Sequence, residues 1–210
     1  MKTAVIDNDK IIVKNVDDIT LNGRKGAIVK VIGCGLCGSD IVKFVHKIAR
    51  NGTVLGHEIV AEIFDINSAT SFKKGDVIVT SHHIPCGECV YCKHGNVSMC
   101  EHFKSTHIRP GGFSEYVYLS EEHLQNVAHL KPENLTDEEA SFYEPLGCIV
   151  RAVKRANLIK GDKALVVGLG SIGILTAQAL RAYGCDVMGC DLLAERIELT
   201  KSFGIDACDV

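Results

Sequence analysis

The chain has 210 residues, of which 46% are hydrophobic and 23% charged, and its formal net charge is −3. This length suits one large domain or two modest ones. The absence of a basic block argues against nucleic acid or an anionic membrane as a partner. The N-terminus lacks an apolar signal-peptide core, and no apolar run approaches the roughly 18 residues of a membrane span. We therefore expect a cytoplasmic protein, in which ten cysteines serve as metal ligands or buried residues rather than in disulfides.

The first 120 residues have the pattern of short β-strands. β-Branched alternation predicts strands over 27–33, 58–64 and 76–81, and a further strand follows two glycines at 111–120. Short strands separated by glycine turns are typical of a barrel or a strongly curved sheet.

The pattern changes near residue 136. Thr136, with Glu139 three residues later, forms a capping box and predicts a helix, which Pro145 should bend or restart. From about residue 160 the order is strand, glycine turn, helix, strand and helix, which is a βαβ unit. The period of its first helix groups four residues on one helical face: Ile172, Leu175, Thr176 and Ala179. Only two or three strands fit before the last residue, fewer than a complete nucleotide-binding sheet has, so we expect a fragment of a longer enzyme.

Four cysteines form a compact cluster within a segment that spans about residues 82–104. They are Cys86, Cys89, Cys92 and Cys100, in C-x2-C-x2-C-x7-C spacing. Four thiolates around a tetrahedral zinc ion make a closed structural site with no position for substrate. An iron–sulfur cluster is the alternative.

A second set of candidate functional residues is dispersed along the chain. It comprises Cys37, Ser39 and Asp40 in GCGLCGSD, His57 and Glu58 in GHE, and Glu144 and Cys148 in YEPLGC. A lone histidine or cysteine is more often a core residue than a ligand. Together, however, these residues supply a thiolate, an imidazole and two carboxylates, which suit a catalytic zinc with an open position.

The sequence GLGSIG has the spacing of a dinucleotide-binding turn. It contains Gly168, Gly170, Ser171, Ile172 and Gly173, follows an apolar strand and opens a helix. The helix N-terminus would then receive the pyrophosphate. Asp191 ends the next strand, where a carboxylate binds the ribose hydroxyls of NAD and repels the 2′-phosphate of NADP. The alternative is a glycine turn in a βαβ unit that binds no nucleotide.

These motifs, in this order, resemble the zinc-dependent medium-chain alcohol dehydrogenases over essentially the whole chain. CGSD, GHE, the four-cysteine lobe, GGFSEYV, EPL and GLGSIG carry the resemblance. It is closest to the polyol branch, such as the sorbitol, galactitol-1-phosphate and threonine dehydrogenases. The resemblance implies an α/β protein with a β-rich N-terminal part: a GroES-like catalytic barrel over 1–150, followed by an incomplete Rossmann domain over 151–210.

The resemblance also implies an activity. It predicts two Zn2+ ions per chain, NAD, and reversible hydride transfer between a secondary alcohol and its ketone. The substrate would be a polyol, a sugar phosphate or a related small molecule. The full-length protein would be a homodimer or homotetramer.

The resemblance assigns roles to the dispersed residues. Cys37 and His57 would bind the catalytic zinc, and either Glu58 or Glu144 would be the third direct ligand. Adjacent residues on a regular strand point to opposite faces, so His57 and Glu58 can share a metal only if the backbone departs from strand geometry, which Gly56 permits.

Further roles follow from the same resemblance. Asp40 would orient His57, Ser39 would pass the substrate proton outward, and Arg196 would adjoin the adenosine ribose. Val42 stands where many relatives have a histidine, so a proton route through that histidine is missing. We expect Cys148 to be a buried apolar residue.

Other functions stay open at this point. They are a zinc-free enone or quinone reductase of the same superfamily, a non-catalytic zinc-binding fragment and a zinc-ribbon nucleic-acid binder. The cysteine lobe argues against the first, and the acidic balance argues against the third. His107 and Arg109 are candidates for contact with a phosphate or a hydroxyl-rich substrate, or they belong to a solvated loop.

Overall fold

A computed structural model describes all 210 residues, which divide into two compact units, Met1–Glu144 and Pro145–Val210. None of its helices combines the length and the apolar character needed to cross a bilayer.

The first unit is built on two antiparallel sheets. Strands β1 (Lys2–Asp7) and β2 (Lys10–Asn15) form a hairpin. The other sheet has the order β6-β3-β4-β5-β7, with β3 at Gly26–Gly35, β4 at Glu58–Asn67, β5 at Val77–Thr80, β6 at Tyr116–Ser120 and β7 at Ala128–Leu130. The predicted strands at 27–33, 58–64 and 76–81 are thus confirmed. Two register shifts between β3 and β4 bend this sheet, as β-bulges do.

The core of the first unit lies on the inner face of this sheet. Its apolar side chains are almost fully buried and include Ala27, Val29, Ile59, Ala61, Ile63, Ile78, Ile108, Val117 and Leu119. Five short helices surround the sheet: α1 (Gly38–Val45), α2 (Val90–Lys93), α3 (Glu101–Ser105), α4 (Glu121–Asn126) and α5 (Asp137–Ser141).

The strand predicted over 111–120 is too long, since only its second half is a strand. Gly112 N donates a hydrogen bond to Gly56 O at 2.8 Å, and Phe113 N donates to Leu55 O at 3.0 Å. A Cβ on Gly111 would lie 2.4 Å from Val54 O. The two glycines therefore permit close approach to the segment before β4 rather than regular pairing.

The helix predicted from Thr136 is divided into two. Thr136 Oγ1 accepts a hydrogen bond from Glu139 N at 3.1 Å, and a Glu139 oxygen accepts from Thr136 N at 2.9 Å, which confirms the capping box. Helix α5 ends at Ser141, and α6 (Tyr143–Arg155) follows. Pro145 lies in the first turn of α6, where its missing N–H costs no helical hydrogen bond. The predicted restart is therefore confirmed.

The second unit contains the predicted βαβ unit. Strands β8 (Lys163–Val167), β9 (Asp186–Cys190) and β10 (Asp206–Cys208) form a parallel sheet in the order β10-β9-β8. Helix α7 (Ser171–Ala182) connects β8 to β9, and α8 (Ala194–Ser202) connects β9 to β10.

The apolar face of α7 differs from the face grouped from its period. Ile174, Ala177 and Leu180 are buried in the core of the second unit. Of the four grouped residues, Ala179 is also buried and Leu175 packs against the core, whereas Ile172 is 53% exposed. Helix α7 is apolar on nearly every side, so periodicity alone does not select a face. Packing within the second unit selects the buried one.

We expect Ile63→Ala to lower the free energy of unfolding of the first unit by about 2–5 kcal/mol, because it opens a cavity in a fully buried site. Ile11→Ala is the matched control, since Ile11 is 50% exposed on β2. It should cost less than about 1 kcal/mol. Urea unfolding followed by circular dichroism measures both, and equal losses would contradict this description of the core.

Candidate functional site

The four cysteines of the lobe converge at one point. Their sulfur atoms all lie within 4.8 Å of one another. Cys89 and Cys100 immediately precede α2 and α3, and a short 3-10 turn (Val97–Met99) lies between these helices. The left-handed backbone of Gly87, at φ +75°, turns the chain between the first two cysteines.

Backbone N–H groups point at the sulfur atoms of this cluster. Cys89 N donates to Cys86 Sγ at 3.3 Å, and Cys86 N donates to Cys100 Sγ at 3.5 Å. Hydrogen bonds from the backbone of Cys86 and Phe103 lower the pKa of Cys100 to about 6. Four convergent sulfur donors, two of which accept backbone hydrogen bonds, fit a closed tetrahedral zinc site.

Three of the dispersed residues form a second group. Cys37, His57 and Glu58 each place one ligand atom within 4.8 Å of the others. Cys37 caps the N-terminus of α1: its sulfur accepts a hydrogen bond from Ser39 N at 3.5 Å, and its own N–H donates to Asp40 Oδ2 at 3.3 Å. A thiolate, an imidazole and a carboxylate in one group fit a zinc site that keeps a position for another ligand.

Gly56 makes the convergence of neighbouring residues possible. Its backbone is left-handed, at φ +89°, and β4 begins only at Glu58. His57 and Glu58 are 7% and 9% exposed, so both turn inward. A Cβ on Gly56 would lie 2.8 Å from Phe113 N. The backbone thus departs from strand geometry at the position where a shared metal requires it.

Asp40 contacts the ring of His57. Asp40 Oδ1 lies 3.4 Å from His57 Nδ1 and accepts a hydrogen bond from Gly56 N at 3.4 Å, and Asp40 is 2% exposed. Burial alone would lower the pKa of His57, but the hydrogen bond and charge of Asp40 raise that pKa to about 9. Burial opposes ionisation of Asp40 as well, yet His57 holds the Asp40 pKa below its usual value. The pair orients His57 through Nδ1 and leaves Nε2 for a ligand.

Glu144 lies beside this group without belonging to it. Its Oε1 is 3.7 Å from His82 Nδ1. Burial raises the pKa of Glu144, and the charge of His57 partly offsets that rise. Of the two carboxylates, Glu58 is the one grouped with Cys37 and His57 in this structure.

His82 is a residue of this region to which the sequence patterns assigned no role. Its ring centroid lies 4.6 Å from that of His57 and 3.8 Å from that of His83. Burial, with a contribution from His83, lowers the pKa of His82 to about 2, so the ring is neutral. His82 Nδ1 is buried and has no hydrogen-bond partner. The only sequence feature that could have drawn attention to His82 was its pairing with His83 shortly before Cys86, the first cysteine of the lobe.

Three other predicted residues are exposed. Ser39 is exposed at the N-terminus of α1, and Val42 is 48% exposed on the same helix. The expectation that Cys148 is buried is wrong, because Cys148 is exposed. Helix α6 buries Pro145 and Ile149 instead.

The glycine turn connects β8 to α7. Gly168 has φ +90°, and Gly170 precedes the first residue of α7. A Cβ on Gly173 would lie 1.8 Å from Gly168 O, so only glycine allows the helix to approach the turn this closely. Ser171 and Ile172, the first residues of α7, are exposed. The turn and the open helix N-terminus fit a pyrophosphate.

Asp191 follows β9 and binds this turn. Its Oδ2 accepts hydrogen bonds from Leu169 N at 2.6 Å and Arg196 Nη1 at 3.3 Å, and its Oδ1 accepts from Leu193 N at 2.9 Å. The two backbone N–H groups and Arg196 lower the pKa of Asp191. A carboxylate has about four acceptor positions, so the ionised side chain retains one for a ribose hydroxyl.

The sequence is similar to that of known proteins. Residues 23–129 match the family model of the alcohol dehydrogenase GroES-like domain. The sorbitol dehydrogenase of Halalkalibacterium halodurans is 34% identical over 191 residues, which cover 88% of this chain and 54% of that protein. D-xylulose reductase A of Aspergillus oryzae is 33% identical over 196 residues, which cover 89% of this chain and 54% of that protein.

Solved structures show the same similarity. Galactitol-1-phosphate dehydrogenase from Escherichia coli superposes with a TM-score of 0.85 at 28% identity and covers 100% of this chain. The match covers 61% of that enzyme, and the chain spans about half the length of the curated relatives it matches. The predicted fold class, a GroES-like domain followed by the start of a Rossmann sheet, is confirmed. The chain belongs to the zinc-type medium-chain alcohol dehydrogenase family.

Proposed function

We propose that the protein containing this chain is a zinc- and NAD-dependent oxidoreductase that interconverts a secondary alcohol of the polyol class and its ketone. The observation that carries this proposal is the group formed by Cys37, His57 and Glu58, separate from the four-cysteine cluster. Relatives named sorbitol dehydrogenase and D-xylulose reductase support the substrate class.

The chain's own residues have distinct roles in this proposal. Cys37, His57 and Glu58 hold the catalytic Zn2+, with Glu144 as a neighbouring carboxylate that can replace Glu58. When bound, Zn2+ supplies a Lewis acid that lowers the pKa of the substrate hydroxyl. Asp40 keeps the Nδ1 proton of His57, so that Nε2 faces the metal.

Metal binding requires the loss of a proton from His57, and release of the substrate proton uses Ser39. The pKa of His57 near 9 means that its imidazole must lose one proton before it ligates. Ser39 Oγ, exposed at the start of α1, receives the proton of the substrate hydroxyl and passes it to water, since Val42 offers no acceptor.

The second unit holds the cofactor in this proposal. NAD, when bound, accepts the hydride. Gly168, Gly170 and Gly173 allow the pyrophosphate to approach α7, and the N–H groups at Ser171 and Ile172 contact it. Asp191 binds the adenosine ribose, and Arg196 lies beside it.

The four-cysteine cluster holds a second, structural Zn2+ in this proposal. With four sulfur ligands the ion has no position for substrate, so Cys86, Cys89, Cys92 and Cys100 maintain the lobe. We also propose that the full-length protein is a homodimer or homotetramer, which the family resemblance supports. We propose that it is cytoplasmic, which its free cysteines support.

The variants Cys37→Ser and Cys92→Ala test the two proposed metal sites independently. We expect Cys37→Ser to lose one zinc ion per chain and more than about 100-fold in turnover, because it removes a ligand that bears on the reacting hydroxyl. We expect Cys92→Ala to lose the other zinc ion and several kcal/mol of stability, about the scale of a structural metal contribution. Zinc analysis, thermal unfolding and turnover of the full-length enzyme with sorbitol measure these effects. A stable Cys92→Ala variant that had lost only turnover would contradict this assignment.

Gly56→Ala tests the backbone turn before His57. Gly52→Ala is the control, since both glycines have left-handed backbones but a Cβ on Gly52 meets nothing within 4 Å. Gly52→Ala should cost about 1–2 kcal/mol of stability for its left-handed backbone alone, and Gly56→Ala should cost more, because its Cβ would also lie 2.8 Å from Phe113 N. Only Gly56→Ala should also weaken zinc binding at the Cys37 site by about tenfold or more, measured by competition with a chelator. Equal zinc affinity in the two variants would show that the turn does not position the ligands.

Asp191→Gly tests the cofactor assignment. We expect the ratio of NAD to NADP affinity to fall by about tenfold or more, because the variant removes a ribose acceptor and the charge that repels a 2′-phosphate. Asp186→Asn, at the exposed start of β9, should leave the ratio unchanged. Titration of the two cofactors by fluorescence measures the ratio. An unchanged ratio in Asp191→Gly would exclude the role given to this carboxylate.

A further inference from the structure

A cavity of about 440 Å³ opens beside His57 within the first unit. Its apolar walls include Leu55 and Ile108. Its ionisable and ring-bearing lining residues are Asp40, Lys43, His57, His82, His107 and Arg109. The cavity therefore adjoins one candidate zinc ligand, His57, and is lined beside it by four side chains to which the proposed chemistry gives no role: Lys43, His82, His107 and Arg109.

The charge in this cavity is one-sided. Asp40 is the only carboxylate of the lining, and it already binds His57, Gly56 N and Cys37 N. Lys43, on α1, and Arg109 also line the cavity. Neither side chain forms an ion pair or a hydrogen bond with another residue of the chain. The two cations thus face the cavity without an ion-pair partner, although the charge of Lys43 also acts on Glu144, where it partly offsets the rise in pKa that burial causes.

The electric fields of the two cations overlap. The charge of Lys43 contributes to the lowered pKa values of His82 and His107, although burial is the largest cause of each shift. Arg109 contributes to the lowered pKa of His107 as well. Both cations therefore act on the same region of the cavity.

A row of rings connects the candidate zinc site to this cationic region. The ring of His82 lies 4.6 Å from that of His57 and 6.5 Å from that of His107. His82 Nδ1 is buried and has no hydrogen-bond partner within the chain, since Glu144 Oε1, at 3.7 Å, lies beyond hydrogen-bond distance. Buried polar atoms are nearly always hydrogen-bonded, so an unpartnered one in a cavity wall indicates a ligand group or water.

We propose that the substrate is a polyol phosphate monoester whose phosphate binds between Lys43 and Arg109 while a hydroxyl of its carbon chain hydrogen-bonds to His82. This inference rests on the proposed function, because it places the reacting hydroxyl at the Cys37–His57 group. A phosphate monoester carries nearly two negative charges at pH 7, which two cations balance. An arginine also matches phosphate geometry through paired hydrogen bonds.

The experiment compares the affinities of the purified, zinc-loaded protein for galactitol 1-phosphate and galactitol by calorimetric titration. We expect the phosphate ester to bind at least about tenfold more tightly, as charge-assisted hydrogen bonds to two cations provide. Lys43→Met and Arg109→Met should each lower this ratio by about tenfold. Lys10→Met, which removes a cation from the hairpin outside the cavity, should leave the ratio unchanged. Rising salt should reduce the ratio in the unaltered protein.

Equal affinities of the unaltered protein for the two compounds, or binding of neither at millimolar concentration, would overturn the inference. A preference that survives both substitutions would overturn it as well. Zinc content is measured on the same samples. If the protein binds no zinc at the Cys37 site but still prefers the phosphate ester, the result supports phosphate binding and contradicts the proposed zinc-dependent function. A zinc-loaded protein without that preference overturns this inference alone.

Discussion

The candidate catalytic site depends on one backbone constraint, the left-handed turn at Gly56. The turn ends the loop before β4 and directs both His57 and Glu58 inward. It also points Gly56 N at Asp40, which in turn contacts His57 and the N–H of Cys37. Gly112 closes the arrangement, because its N–H binds Gly56 O at 2.8 Å. Three segments that are distant in sequence thereby meet around three ligand atoms.

The two groups of ligands differ in the chemistry they permit. Four like sulfur donors enclose an ion completely, whereas one thiolate, one imidazole and one carboxylate leave room for a substrate oxygen. The presence of both groups of ligands argues against a zinc-free enone or quinone reductase, because such an enzyme needs neither metal site. In the proposed function, the inconspicuous residues Cys37 and His57 have the catalytic role and the conspicuous cysteine lobe has the structural one.

Much of the fold follows from local sequence patterns. The capping box at Thr136, the three alternating strands and the βαβ unit all appear where local rules place them. The errors arose where tertiary packing decides. Helix α7 is apolar on nearly every side, so its buried face depends on packing in the second unit rather than on its own period. Gly111 and Gly112 suggested a strand, but they serve close backbone contact with the segment before Gly56.

The site was predictable to a different degree for each residue. The cysteine spacing predicts the lobe, and the glycine pattern predicts the turn before α7. The choice between Glu58 and Glu144 depends on side-chain placement, which no spacing rule supplies, and the structure groups Glu58 with Cys37 and His57. His82 carries no motif at all. Its unpartnered Nδ1 becomes visible only when its burial and neighbours are known.

Anomalous diffraction at the zinc absorption edge, on crystals of the zinc-loaded protein, would locate both proposed zinc ions. We expect two anomalous peaks per chain. One lies among the sulfur atoms of the four-cysteine cluster, and the other lies at bonding distance from Cys37 Sγ, His57 Nε2 and one glutamate oxygen. A single peak in the lobe, with none at Cys37, would contradict this expectation.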